Sequence, residues 1–350
     1  MLRRSLLYLG SVILGLLAVG GLLGAFVVAL LWPTLPSLEV LTDYQPKIPL
    51  RVVSAEGDLI GEFGEERRAV VAIRDVPDVM KQAILAAEDE RFYQHGGVDY
   101  LSVLRAALAN LTTGTQQGAG TITMQVARNF FLTREKTLTR KLREALLAWK
   151  IEASLSKDEI LELYVNQIYL GQRAYGFAAA SQIYFGKPLK NIALPEAAML
   201  AGLPKAPSAY NPVTNPQRAK ARQLYVLKRM HDLKFIADDP YREAQSAPLT
   251  VRQGVKEAFS LHAEYAAEMA RQVVFEAYGD DAYTRGITVW TTLRRADQEA
   301  AYAAVRRGVL DYDRRHGYRG PEVSSTSPTT RATRSRPSTV LSRTIPTPTT

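Results

Sequence analysis

No residue of this chain is a cysteine. That excludes thiol catalysis, disulfide bonds and Cys-bound zinc, and it leaves the compartment open. No charge interrupts Ser5 to Trp32. As a helix rising about 1.5 Å per residue, that stretch exceeds the roughly 30 Å hydrocarbon core of a bilayer. Arg3 and Arg4 precede it, and Glu39 and Asp43 follow it. The positive-inside bias then puts Met1 in the cytoplasm and the residues after Pro33 outside, as a single-pass anchor in the inner membrane. A cleaved signal peptide is the rival reading; its apolar region would be shorter and would end at a small-x-small site, which is not evident here. No acid occurs in residues 323–350, where Arg331, Arg334, Arg336 and Arg343 supply four of the nine net positive charges. The rest of the excess suits a protein beside anionic lipid at least as well as one on nucleic acid, and no nucleic-acid partner is expected. No internal repeat is visible, and no Gly-Lys-Ser/Thr marks a nucleotide P-loop.

The 350 residues suffice for two or three compact units, and 47% hydrophobic with 23% charged residues is a globular composition. Residues 1–33 form the cytoplasmic stub and anchor. Residues 34–76 begin with spaced prolines, an extended linker, and continue as "LRVVSAEGDLIGEFG", whose alternation and Glu56-Gly57-Asp58 turn predict a β-hairpin. Residues 77–247 read almost wholly as helix broken by Gly and Pro. Residues 248–322 are mixed, with helices "SLHAEYAAEMARQVVFEAYG" and "ADQEAAYAAVRRGVLDYDRRHG" around a β-branched strand "GITVWTTL". Residues 323–350 are rich in Ser, Thr, Pro and Arg. They cannot bury enough apolar surface to offset ordering entropy, so a disordered tail is expected.

Four segments carry chemistry. In "DVPDVMKQAILAAEDERFYQHGG", helical spacing predicts that Val79, Ala83, Ile84 and Ala87 are buried, with Glu88 at the helix end and Gly96-Gly97 bending the chain away from it. A carboxylate between apolar packing and a turn has a raised pKa, which suits a general base; the plain alternative is a solvated helix-end charge. In "GAGTITMQVARNFFL", Thr121 and Thr123 offer hydroxyls, Gln125 an amide and Arg128 a fork suited to phosphate. In "TLTRKLREALLAWKIEASLSKDEILELYVN", Leu138, Leu142, Ala145, Leu146 and Trp149 form an apolar stripe. Arg140 and Glu144 are spaced to pair, with Lys141 beside them, and Ser156 to Glu159 reads as a capping box. "ELYVNQIYLGQRAYGFAAASQIYFGK" combines tyrosines with Asn166, Gln167, Gln172 and Arg173, a mixture that suits sugar rings or an ordinary core. Helix 100–111 puts Leu101, Leu104, Leu108 and Leu111 on one side, either to dip into a bilayer or to pack on the core.

Taken in order, these segments resemble the peptidoglycan glycosyltransferase domain of the class A, bifunctional penicillin-binding proteins, of the Gram-negative 1A type. The first motif of that family appears as Glu88, Asp89, Phe92, His95, Gly97 and Asp99. The second appears as Gly118, Thr121, Ile122, Thr123, Gln125, Arg128 and Asn129; Gly120 stands where the family has Ser, and Met124 where it has the first Gln. The third is Arg140, Lys141 and Glu144. The fourth and fifth cover Glu162, Tyr164, Asn166, Gly171, Gly176 and Tyr184 to Lys187. The resemblance runs from the anchor to about Glu322.

The resemblance implies a mainly α, lysozyme-like, two-lobed domain with an N-terminal transmembrane helix and a small mixed α/β segment after it. It implies an inverting enzyme that polymerises lipid II into glycan strands for cell wall synthesis at the periplasmic face. Glu88 and Glu144 are the implied catalytic residues. Asp89, Phe92, His95, Thr121, Thr123, Gln125, Arg128, Asn129, Arg140, Lys141 and Asn166 are the implied substrate-binding residues. Glu144 would orient the cations or a divalent metal, Mg or Mn, on the diphosphate; no organic cofactor is implied. Partners would be lipid II, the growing strand, the inner membrane and other cell-wall synthesis proteins. Full-length members continue into a transpeptidase domain with Ser-x-x-Lys, Ser-x-Asn and Lys-Thr/Ser-Gly. Ser154 to Lys157 matches the first pattern, but the partner motifs are missing and Ser156 is better used as a cap, so this chain is expected to stop before that activity. A lysozyme-like hydrolase and an inactive lipid II-binding remnant are the competing readings.

Overall fold

The computed structural model describes residues 2–42, 46–113, 118, 120–132, 137–248, 250–252 and 261–317, less the side chains of residues 2–13, 16, 17, 42, 113 and 138. The expected tail at 323–350 lies outside these, as does the side chain of Leu138. Residues up to Glu299 belong to one compact unit, and the described residues from Ala300 on to another.

The chain opens with one long helix, α1 (Leu2–Leu31), which stops where Pro33 removes a backbone donor. Among the described residues no helix is long and apolar enough to cross a membrane. Several described side chains of α1, including Leu14, Leu22, Leu23 and Phe26, are exposed. The stretch after it is more than an extended linker. Leu35 and, on the short α2 (Glu39–Thr42), Leu41 are buried in the main core, and Lys150 Nζ donates to Pro36 O at 2.8 Å.

The hairpin forms as the alternation predicts: β1 (Leu50–Val53) pairs antiparallel with β2 (Leu59–Phe63), Arg51 opposite Glu62. The sequence did not show its third strand. β5 (Thr288–Trp290) adds parallel to β1, with Arg51 opposite Thr288 and Val53 opposite Trp290. Helix α12 (Glu264–Tyr278) closes over this sheet through Ala267 and Val274. The approach is close enough that a Cβ on Gly61 would meet Ala267 Cβ at 2.7 Å. The hairpin and the mixed segment around residues 261–293 therefore share one small core. Helix α13 (Arg295–His316) follows, with no buried residue.

Between the strands lies the helical body. After the two-residue β3 (Arg67–Arg68) come α3 (Asp78–Glu88), α4 (Tyr100–Thr113), α5 (Ile122–Phe131), α6 (Leu138–Glu152) and α7 (Lys157–Gln167). The two-residue β4 (Ala174–Tyr175), α8 (Phe177–Phe185), α9 (Leu194–Gly202), α10 (Pro216–Asp232) and α11 (Asp238–Ser246) complete it. One core joins Met80 and Ile84 of α3, Ile122 and Val126 of α5, Leu147 and Ile151 of α6, Ile160 and Tyr164 of α7, and Val226 and Met230 of α10. Each such fully buried aliphatic side chain stabilises the fold by about 1.5–3 kcal/mol.

Two predicted stripes are rotated. The buried face of α3 is Met80, Ala83, Ile84 and Ala86; Val79 and Ala87 pack only at its edge. On α6 the core takes Leu146, Leu147 and Ile151, while Leu142 and Trp149 are exposed. The reason is that α6 turns Glu144 inward as well, at 1% exposure, which rotates the helix away from the purely apolar stripe. The capping box at Ser156 and Glu159 is present, as the spacing predicts.

Candidate active site

Helix α3 ends at Glu88 because Asp89 leaves helical geometry at φ −159° while its N–H still donates to Leu85 O. The buried Asp89 carboxylate accepts from Ile122 N at 3.1 Å and lies 3.0 Å from His95 Nε2. A negative group at the start of α5 is favourable, since the free N–H groups and the helix dipole both point at it. Asp89 therefore ties the end of α3 to the start of α5. Thr121 caps α5, accepting from Met124 N at 3.2 Å and donating to Gly97 O at 2.5 Å. Gly97 must be glycine: its φ is +85°, and a Cβ there would meet the Ala148 backbone at 2.9 Å.

With α5 so fixed, Gln125 Nε2 donates to Glu88 Oε2 at 2.7 Å. Burial pushes the Glu88 carboxyl above the ordinary glutamate range, and the Gln125 bond and the charges of Arg222, Arg128 and Lys205 oppose that rise. The side chain opens on a cleft of about 730 Å³ that is also lined by Asp89, Gly118, Gly120, Thr121, Gln125, Arg128 and Lys141.

Glu144 lies behind this wall. Both of its oxygens are taken: Arg140 donates to one and Lys141 Nζ to the other, at 2.7 Å. Lys141 is pulled below the ordinary lysine range by burial and then by the charges of Arg128 and Arg140. Arg140 and Lys141 thus meet at one buried carboxylate, with the Arg128 charge acting on Lys141 from the cleft.

Not every predicted site residue reaches the cleft. Phe92 is fully buried, with Lys157 Nζ 4.4 Å from its ring centre. Lys157 also holds His95 O at 2.6 Å and Glu152 at 2.7 Å, and Thr123 donates to Glu152 at 2.6 Å. Phe92, His95 and Thr123 therefore form a supporting layer under Asp89, and Arg140 turns to Glu144. Asn129 is exposed and outside the cleft lining. Asn166 also stands outside the cleft lining. It clamps Val71, accepting from its N–H at 2.9 Å and donating to its carbonyl at 2.8 Å, and so belongs to the scaffold.

A second set of cations, outside the sequence motifs, reaches the cleft. Lys205, and Arg222, Tyr225 and Arg229 of α10, line the cleft, as do Ser102 and Arg105 of α4 and Glu90. Glu90 pairs with Arg229 and, at 3.3 Å, with Arg105. Arg222 is buried over the Tyr225 ring at 4.5 Å. The signal was present in the spacing of residues 222, 225 and 229, which share one helical face.

Among the described residues, the oxygens that a metal on this site would need are already engaged. A hard divalent cation takes oxygen ligands, and each Glu144 oxygen already accepts from a cation. Asp89, His95 and Asp99 lie within ligand range of one another. However, Asp99 is engaged by Arg91 and Ser102, and Asp89 by Ile122 N and His95.

The Glu88 carboxylate, its pKa raised by burial, thus shares one cleft with Arg128, Lys141, Lys205, Arg222 and Arg229. A model of the family described as Transglycosylase matches residues 56–231, and the chain belongs to that family. It is 55% identical over 303 residues to penicillin-binding protein 1A of Neisseria lactamica, covering 86% of this chain and 38% of that protein. It is 52% identical over 292 residues to penicillin-binding protein 1A of Pseudomonas aeruginosa, covering 83% and 35%. The crystal structure of penicillin-binding protein 1A from Haemophilus influenzae is 34% identical, covering 82% of this chain and 33% of that one, with a TM-score of 0.46. The chain spans less than two fifths of the length of these proteins.

Proposed function

We propose that this chain is a peptidoglycan glycosyltransferase that polymerises lipid II into glycan strands. The observation that carries the reading is Glu88, oriented by Gln125 at 2.7 Å, in the same cleft as Arg128 and Lys141. Glu88 takes the proton from the 4-hydroxyl of the incoming GlcNAc as that oxygen attacks C1 of the MurNAc on the growing strand. The C1–O bond to the diphosphate breaks, configuration inverts, and undecaprenyl diphosphate leaves as an anion. Such a leaving group needs no acid to protonate it, unlike the glycosidase case, where one carboxyl must stay protonated. Arg128 and Lys141 hold the departing charge, which removes the repulsion among three neighbouring cations. Arg140 and Glu144 act through Lys141 by fixing where its ammonium sits. A lysozyme-like, two-lobed arrangement is part of this reading.

The test is labelled lipid II supplied to the purified chain, with glycan strands as the expected product. Release of muropeptides from finished peptidoglycan would make it a hydrolase instead. Binding of lipid II without turnover would make it an inactive remnant.

The pH dependence follows from Glu88. The base works only when deprotonated, and its pKa is raised. The acidic limb of kcat/KM is therefore expected above the ordinary glutamate value of about 4.3, with activity falling as pH falls through it. A rate profile in buffers of constant ionic strength checks this, and a limb at or below 4.3 would contradict it.

Membrane attachment is part of the same proposal. Helix α1, 30 residues long, serves as the anchor, with the catalytic body on the periplasmic side. Helix α4 supports a second contact. Leu101, Leu104, Leu108 and Leu111 are all exposed rather than packed on the core, while Ser102 and Arg105 of the same helix line the cleft. A lipid tail leaving the cleft would meet that apolar face. Leu104→Lys with Leu111→Lys is expected to slow polymerisation of long-chain lipid II in vesicles several-fold. Turnover of a short-chain, water-soluble analogue should be unchanged; equal losses on both substrates would argue against the bilayer contact.

A further inference from the structure

The cleft lining includes the carboxylates of Glu88, Asp89, Glu90 and Asp99. Three of them are held by groups other than the cations of the cleft wall. Gln125 bonds Glu88, Ile122 N and His95 hold Asp89, and Arg91 with Ser102 holds Asp99. Glu90 differs. Among the described residues it alone of the four forms ion pairs with cations that line the cleft. Arg105 Nη1, on α4, donates to its Oε1 at 3.3 Å, and Arg229, on α10, donates to its Oε2. One carboxylate, itself facing the cleft, thus occupies two guanidinium groups.

Stability is a poor account of this arrangement. The Arg105 side chain is 65% exposed and that of Arg229 30%, and ion pairs so open to solvent add little to a fold. Their effect on the cleft is larger. Without Glu90, Arg105 and Arg229 would join Arg128, Lys141, Lys205 and Arg222 as cations facing an anionic guest. Affinity that is equal for substrate, transition state and product does not speed turnover, and it slows release. A carboxylate within reach of the same arginines gives them another partner whenever the guest is absent.

We propose that Glu90 is an internal competitor for the anionic group of the substrate. Its carboxylate pairs with Arg105 and Arg229 in the free protein, yields them to a diphosphate on binding, and takes them back as the product diphosphate departs. Glu90 sets affinity and release, and it touches no reacting atom. This inference rests on the reading of the cleft as a site for a lipid-linked diphosphate.

The test reads binding without turnover: farnesyl diphosphate titrated calorimetrically into the purified chain. Glu90→Gln keeps the size of the side chain and removes its charge. Binding should become tighter by up to about fivefold, the upper worth of one such exposed pair. Added salt should weaken binding more steeply than in wild type, because the wall has gained one net positive charge. With lipid II as substrate, KM should fall and inhibition by farnesyl diphosphate should strengthen in step. Unchanged or weaker binding overturns the proposal, since Glu90 would then do no more than hold the two arginines in place.

Two further variants separate pairing from other causes. Glu90→Asp keeps the charge, so its affinity should lie nearer to wild type than that of Glu90→Gln; equal tightening in both would assign the effect to shape and overturn the proposal. In an Arg229→Gln background, one of the two contested cations is gone, so Glu90→Gln should tighten binding less than it does alone. An undiminished effect there would make Glu90 a general repulsive charge rather than a competitor for these arginines. If the unaltered chain does not bind farnesyl diphosphate, the diphosphate reading fails and this inference fails with it. If it binds and Glu90→Gln binds equally, only this inference fails.

Discussion

Glu88→Gln is expected to lower strand synthesis from lipid II by about 10²- to 10⁴-fold, the usual contribution of a positioned general base, without loss of the fold. Glutamine keeps the shape of the side chain and can still accept from Gln125 through its amide oxygen. Stability should move the other way from activity. The folded pKa of Glu88 lies above its unfolded value because burial disfavours the charge. Between those two values the native state binds more protons, so this group's contribution to stability is lost as pH rises through that window. At neutral pH the charged base therefore costs stability, and a neutral glutamine removes the cost. Each 1 kcal/mol recovered raises Tm by about 2–4 °C for a body of this size. The Tm difference between variant and wild type should shrink as pH is lowered toward the ordinary glutamate range. Near-normal polymerisation, or a variant that is less stable at pH 7.5 with a gap that does not change with pH, would refute the assignment.

Lys141→Met carries the second large effect. Lys141 is the member of the Arg140–Lys141–Glu144 cluster that lines the cleft, and it is crowded by the charges of Arg128 and Arg140. A diphosphate placed there gains one charge-assisted hydrogen bond of about 1.5–3 kcal/mol, a factor of roughly 10 to 150. Methionine keeps most of the stem but not the ammonium, so kcat/KM should fall within that range. Inhibition by a short prenyl diphosphate should weaken in parallel, while Glu144 keeps Arg140 as its partner and the fold is retained. A loss of turnover with unchanged prenyl diphosphate inhibition would move the diphosphate contact elsewhere, most directly to Lys205, Arg222 and Arg229.

Much of the site was legible because motif residues sit at local structural transitions. The end of α3 at Glu88 and the Ser156 capping box each depend on residues within about a turn of one another, and each appears as read. Two placements depart from the local pattern. Asn166 has the chemistry of a sugar ligand, yet Val71, far away in the chain, claims its amide. Leu142 and Trp149 have the spacing of a core stripe, yet α6 rotates them outward so that Glu144 can be buried between its cations. For Asn166 a distant partner outweighed the local pattern; for α6 it was the burial of Glu144 with two cations of its own helix.

The amino-acid sequence by itself determined the helical body, the hairpin between Leu50 and Phe63 and the placing of Glu88 at a helix end, because periodicity, capping and turn chemistry act over a few residues. Only the tertiary structure decided that Gln125 grips Glu88, that α10 brings Arg222 and Arg229 to the same cleft, and that β5 completes the sheet begun by β1. Those contacts join segments tens to hundreds of residues apart. They are selected by which faces pack together, and that choice is made by the whole core.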